Sequence, residues 1–241
     1  FIASMSSLDY FKQERLFTSG NTPVFNKNKE YFLKLQMSMP FLTSQKAEFS
    51  IGVGRLEDQY FQTNVIDFVN DNRDQSSYNI FGGSVALEGN TLDSRQFATS
   101  GRKERLVANV YTGKEHYKDG VYNEESPMSK YEYTQSWLQI SYELERYSQL
   151  SSQFTLGQYI HSYYSSRNFS QNYTATMMQA GTFAPTAHSK ISYNEAFRAN
   201  QFIGAGLIPI FKLNSVVQAR AEVYGFMPIF PIMKDEDNKA Y

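Results

Sequence analysis

Side chains of alternating polarity run through most of this chain, and that period of two limits what it can become. In KEYFLKLQMSM the odd positions Tyr31, Leu33, Leu35, Met37 and Met39 are apolar, and in KAEFSIGVG the same holds for Ala47, Phe49, Ile51 and Val53. Leu106, Ala108 and Val110 alternate with Arg105 and Asn109; Leu138, Ile140, Tyr142 and Leu144 alternate with Gln139, Ser141 and Glu143. Val217, Ala219, Ala221 and Val223 stand against Gln218, Arg220 and Glu222. Such alternation marks strands with one apolar and one polar face, and almost no helical period competes with it. The expected fold class is all-β, antiparallel, with strands near 30–40, 46–56, 78–89, 103–113, 131–146, 151–164, 174–183, 187–194, 199–211 and 214–229. One more strand of poorer pattern is expected in the first sixteen residues.

The connections alternate in length. Short ones fall near Phe41 to Gln45, Tyr147 to Leu150 and Lys212 to Asn214; long ones, rich in Asp, Asn, Ser and Tyr, cover Glu57 to Tyr78, Lys114 to Lys130 and Ser165 to Asn172. Short turns on one rim and long loops on the other are the habit of transmembrane β-barrels. Keeping that parity calls for three strands between Asn172 and Lys212, with Ala184-Pro185-Thr186 as the turn between the first two. A further turn is expected from Asp93 through Ala98-Thr99-Ser100 to Gly101.

Composition agrees with two unlike faces. Eighteen Tyr and nineteen Phe sit in a chain whose mean hydropathy is −0.50. Twenty-three basic residues against twenty-four acidic ones give a formal charge of −1, which leaves no basic field for nucleic acid. The absence of cysteine removes disulfides and thiolate chemistry. With no apolar run of about 18 residues, any passage through a membrane must use strands. The 241 residues read as one domain, and the opening FIASMSSLDYF and closing KDEDNKAY read as interior sequence, so the domain is expected to be incomplete at both ends.

Catalytic constellations are sparse. Gly82-Gly83-Ser84-Val85-Ala86 approaches a G-x-S-x-G elbow, but Ser84 sits within an alternating strand rather than at a strand-to-helix turn. Asp119-Gly120 is a turn signal before it is a catalytic aspartate. His116, His161 and His188 lack metal-ligand spacing, so neither metal nor cofactor is expected. Glu143 and Glu145 share a polar strand face, where hydration is the simplest role. Arg198 differs: on a connection of the long-loop rim, it is expected to fold into a polar interior and pair with Glu222 and Glu143.

Three segments then carry a resemblance. Asn90-Thr91-Leu92-Asp93…Ala98-Thr99-Ser100-Gly101, Phe197-Arg198-Ala199-Asn200-Gln201-Phe202…Gly206-Leu207…Pro209, and Arg220-Ala221-Glu222…Pro228 resemble, in that order, the bacterial surface antigen superfamily of outer-membrane barrels. More specifically, it resembles the barrel at the C-terminus of patatin-like phospholipases of Gram-negative bacteria. It departs at Ala98, where the family usually has proline, and at Arg198-Ala199-Asn200, where the inward loop usually reads Arg-Gly-Phe. The resemblance implies a sixteen-stranded barrel, of which this chain would supply 10–11 strands, with the Arg198 loop between the eleventh and twelfth. That count makes the strand near 30–40 the fourth and leaves about three beyond Tyr241. The resemblance also implies outer-membrane lipid around the barrel, and hydrolase and POTRA-type domains upstream in the same chain. Hydrolysis would then belong to those domains, with the barrel as anchor and translocation path. Two alternatives are a soluble all-β module binding glycan or peptide through its Tyr-rich face, and, by fold analogy, an outer-membrane insertase.

Overall fold

The computed structural model describes residues 2–10, 26–61, 72–118, 120, 130–170, 173–191, 193–214, 217–235 and 239–241. Seven long strands follow one another as a meander: β1 (Ile2–Tyr10), β2 (Asn26–Leu42), β3 (Gln45–Tyr60), β4 (Asp74–Asn90), β5 (Gly101–Lys118), β6 (Lys130–Gln149) and β7 (Phe154–Ser165). A long connection carries α1 (Tyr173–Gln179), β8 (Gly181–Thr182), α2 (Ala187–Ile191), a 3-10 turn (Glu195–Phe197) and β9 (Arg198–Ala199). The chain then rejoins the sheet as β10 (Gln201–Lys212), followed by β11 (Gln218–Arg220) and β12 (Val223–Pro228). All ladders are antiparallel, and the sheet has ten strands in the order β1 to β7, then β10, with β11 and β12 both pairing with β10. Among the described residues no helix is long and apolar enough to cross a membrane.

Two expected strands are corrected. Residues 174–183 and 187–194 lie in α1 and α2 and their flanks, while β8 and β9 form a small separate ladder. Ala175, Thr176, Met177 and Met178 are all buried, because this segment lies over one face of the sheet. Away from any free strand edge, a helix satisfies its own backbone groups. Parity survives the change, since β10 alone, paired antiparallel with β7, returns the chain to the short-turn rim. The strand expected at 214–229 is divided into β11 and β12, so the sheet reaches ten strands by a different count from the one expected.

The register sorts side chains as the alternation requires. On one face Met37 pairs with Phe49, Phe49 with Val85, Val85 with Ala108, Ala108 with Ile140, and Ile140 with Tyr164. Ile203 with Met227 and Leu207 with Val223 extend this apolar face to the last strand. Among the described residues nothing covers it: Val110 is 59% exposed and Leu207 54%. On β2 the exposed apolar residues run from Tyr31 to Phe41. That is about 33 Å at the usual rise per residue, or about 25 Å in height for a strand tilted by roughly 40°.

The other face is aromatic and polar, and the 166–200 connection covers it. Tyr60, Tyr117, Ala175 and Met178 form one buried cluster; Tyr159, Phe183, Ala199 and Phe202 form another. Glycine makes the second possible: a Cβ on Gly204 would overlap the Phe183 ring. Gly204→Ala should therefore lower stability by about 1–3 kcal/mol, the usual range for overpacking. Gly83→Ala adds its methyl on the bare face, where the nearest atom is the Ser50 carbonyl at 3.2 Å, and should cost far less. Denaturation midpoints of the two variants measure this, and equal losses would contradict the packing described.

Candidate functional site

Most of the unusual chemistry gathers under the 166–200 connection. Its first residues extend the sheet, with Ser166 N donating to Leu138 O at 2.9 Å. Arg167 then turns inward, and its guanidinium lies 4.2 Å from the Tyr78 ring centre and 4.7 Å from that of Trp137. It is 7% exposed. Neither its Nε nor its Nη2 has a hydrogen-bond partner, so contact with the two ring faces and the nearby Asp58 carboxylate help to offset its desolvation. The Tyr78 hydroxyl binds Ser170 Oγ and donates to Gln179 Oε1, each at 3.0 Å, tying α1 to the middle of the sheet.

Arg198 closes the far end of α1. Its Nη1 donates to the carbonyls of Met178 (2.9 Å), Met177 (3.1 Å) and Ala180 (3.4 Å), and the group lies 4.6 Å from the Tyr193 ring centre. The last carbonyls of a helix lack partners within it and favour a cation, so a guanidinium serves both needs. Arg198 thus folds inward, but its partners are carbonyls rather than the expected Glu222 and Glu143. Glu143 instead accepts from the Tyr159 hydroxyl at 2.7 Å. Glu222 accepts from Arg220 Nε at 2.8 Å and from the Tyr224 hydroxyl at 2.9 Å. The pairing was missed because α1 reads as a strand in the sequence, and a strand offers no free carbonyl end.

At the short-turn rim a second arginine organises a second inward fold. Asp93 accepts from Thr99 N at 2.9 Å and from Thr99 Oγ1 at 2.7 Å, and Gly101 takes a φ of 95° at which a Cβ would overlap the Thr91 carbonyl. Ala98 is buried with Tyr147, Ile208 and Ile210. Arg220 pins this turn, donating through Nη1 to Ala98 O at 3.0 Å and through Nη2 to the Tyr147 hydroxyl at 2.7 Å. Burial nudges the Asp93 carboxyl upward, but the hydrogen bonds from Thr99 and Ser100 outweigh it and hold it below the ordinary aspartate value.

Between the connection and strands β2 to β6 lies a cavity of about 370 Å³, bordered by Glu30, Asp58, Tyr111, Trp137, Arg167 and Arg198. This is within the size range of small-molecule sites. Arg167 and Trp137 were not singled out in the sequence. The one available signal was that Arg167 follows a Tyr-rich strand on the same connection as Arg198. Asp58 accepts from Asn28 Nδ2 at 2.7 Å.

The remaining candidates are scattered. Ser84 sits in mid-β4 with its hydroxyl 2.7 Å from that of Ser50. His161 Nε2 is 3.2 Å from Ser141 Oγ, His116 pairs with Glu132 at 3.0 Å, and His188 is in α2. Glu145 accepts from the Tyr147 hydroxyl at 2.6 Å. Asp119 lies outside the described residues. No cluster of metal-ligating side chains occurs among the described residues.

Arg198→Ala should cost about 1.5–3 kcal/mol, the usual worth of hydrogen bonds to a charged group. Arg95→Ala, at an exposed position of the short-rim turn, should stay within about 0.5 kcal/mol. Thermal or denaturant unfolding of the two variants makes the comparison. Because the folded-state pKa of Asp93 is depressed, its contribution is complete above the unfolded value of about 3.9 and fades as pH falls through the folded value. The stability difference between the wild-type chain and Asp93→Asn should accordingly be constant near neutrality and shrink below about pH 4; a difference that grows with acid would contradict the turn's electrostatics.

No family model matches the chain, and no curated protein matches it at the significance required.

Proposed function

We propose that this sheet is part of the wall of an outer-membrane β-barrel of a Gram-negative bacterium, anchoring and helping to translocate an attached patatin-type lipid hydrolase. The observation that carries the membrane reading is the bare apolar face, continuous through the register from β2 to β12. Soluble monomers rarely leave apolar patches beyond a few hundred Å², and a height of about 25 Å suits the hydrocarbon band of a barrel. Strands of 16 to 20 residues, as in β2 to β6, exceed the roughly 9–11 that a tilted crossing needs. Their surplus carries charge on the long-loop side, including Arg55 with Glu57 and Lys114 with Glu132. Closure of the barrel would satisfy every backbone group within lipid.

The hydrolase belongs to this reading through the resemblance to the barrels of patatin-like phospholipases, and its chemistry would lie in upstream domains. With 166–200 as the inward connection between the eleventh and twelfth strands, β7 becomes the eleventh and β2 the sixth, rather than the fourth. The inward fold of Arg198 supports that alignment. A module binding glycan or peptide is less well supported on the covered face, where Tyr60, Tyr78 and Tyr117 are buried rather than displayed.

Single cysteines carrying spin labels at Leu138, Ile140 and Leu144 should respond to a lipid-phase quencher in reconstituted bilayers, and labels at Gln139 and Ser141 should not. Equal responses would overturn the membrane assignment. Ile140→Arg should impair assembly far more than Gln139→Arg, since a cation on the lipid face costs about 2–4 kcal/mol near the midplane.

A further inference from the structure

The cavity under the 166–200 connection holds two opposite charges that do not meet. Arg167 is buried, its Nε and Nη2 have no hydrogen-bond partner, and its guanidinium lies against the Tyr78 and Trp137 rings. Glu30, from β2, faces the same cavity, and neither residue belongs to any ion pair among the described residues. The other charges nearby are already engaged. Asp58 is hydrogen-bonded by Asn28 and lies within electrostatic range of Arg167, Arg198 closes α1, and Lys34, within range of Glu30, lies 4.7 Å from the Phe32 ring centre. Register fixes the spacing of the strands against which the two groups lie. Glu30 is opposite Leu56, and Leu56 is opposite Tyr78, on whose ring Arg167 lies. Two strand spacings put the backbones of Glu30 and Tyr78 about 10 Å apart.

A single anion would answer Arg167 and leave Glu30 facing it across a low-dielectric space; a single cation would do the reverse. A molecule that answers both must carry an oxyanion and an ammonium at the two ends of a short spacer. A phosphate ester of an amino alcohol carries its two charges on such a spacer. The guanidinium suits phosphate oxygens, and the ammonium would find Glu30 flanked by the rings of Phe32 and Tyr111, a favourable setting for a cation. The geometry points to a binding site for a zwitterionic phosphate ester, held by Arg167 at its phosphate and Glu30 at its ammonium. The ester could be free or could be the headgroup of an intact lipid. The site does not depend on the membrane reading, since it is built from the covered face alone.

Trp137 is the only tryptophan in the chain, and with the Arg167 guanidinium 4.7 Å from its ring centre its emission reports on the site. The folded chain, in an uncharged maltoside detergent, is titrated with sn-glycero-3-phosphoethanolamine, with sn-glycerol 3-phosphate and with glycine at matched ionic strength. A further titration uses mixed micelles containing phosphatidylethanolamine. Saturable change with the soluble ester supports the site with a free ligand; saturation with the lipid alone supports it with a lipid headgroup. Arg167→Gln should weaken binding of the ester at least about tenfold, as loss of a charged hydrogen-bond partner does. Glu30→Gln should keep phosphate binding and abolish the preference of the ester over glycerol phosphate, which tests the site even if Arg167→Gln does not fold. The proposal fails if no phosphate compound saturates, if glycine binds as well as the ester, if folded Arg167→Gln binds like the wild-type chain, or if Glu30→Gln leaves the preference unchanged.

Discussion

Because successive strand residues point to opposite faces, a slip of one residue between β2 and β7 would carry Phe49, Val85 and Ile140 to the covered face and Glu48, Ser84 and Gln139 to the bare one. Every other feature of the molecule assumes that this register holds. The apolar face is continuous only because Phe49 meets Val85 and Ala108 meets Ile140. The cavity exists only because the same register puts Glu30, Leu56 and Tyr78 in one row on the other side. On the proposed reading, lipid rewards the first arrangement and the inward-folded connection rewards the second. The two faces then reinforce a single pairing.

Covering an aromatic and polar face raises the problem of what to do with the chain that covers it. A buried connection brings backbone groups that have left the ladders. Here α1 resolves most of them internally, and arginines deal with the remainder. Arg198 takes the open carbonyls of α1, and Arg220 takes the carbonyl of Ala98 in the turn at the other rim. Both groups also lie against tyrosine rings, Tyr193 for Arg198 and Tyr147 for Arg220. A planar guanidinium allows this combination, stacking through its face and donating through its edge. Arg167 has the ring contacts but no acceptor at its Nε or Nη2, which sets it apart from the other two.

Much of the architecture was legible in the residues themselves. The strands β2 to β7 and β10, the face on which Leu35, Phe49, Val110 and Ile140 stand, and the turn closed by Asp93 and Gly101 all follow from alternation and turn chemistry. These are properties of neighbours in sequence: side chains two apart share a face, and a carboxylate six residues from Thr99 closes its own loop. The segments 174–183 and 187–194 were not legible in this way. A helix as short as α1 has little stability of its own and forms because Tyr60 and Tyr117 bury Ala175 and Met178. Its apolar residues fit a period of two as readily as 3.6. The partners of Arg198 could not be named without that helix, nor could Arg167 be told from a solvated arginine without Tyr78 and Trp137, which lie 89 and 30 positions away by the numbering. The sequence by itself determined the strands and the polarity of their faces, because those depend on spacing along the chain. Only the tertiary structure decided what covers the polar face and which charges meet beneath it, because those depend on contacts between residues whose separation in sequence carries no periodic signal.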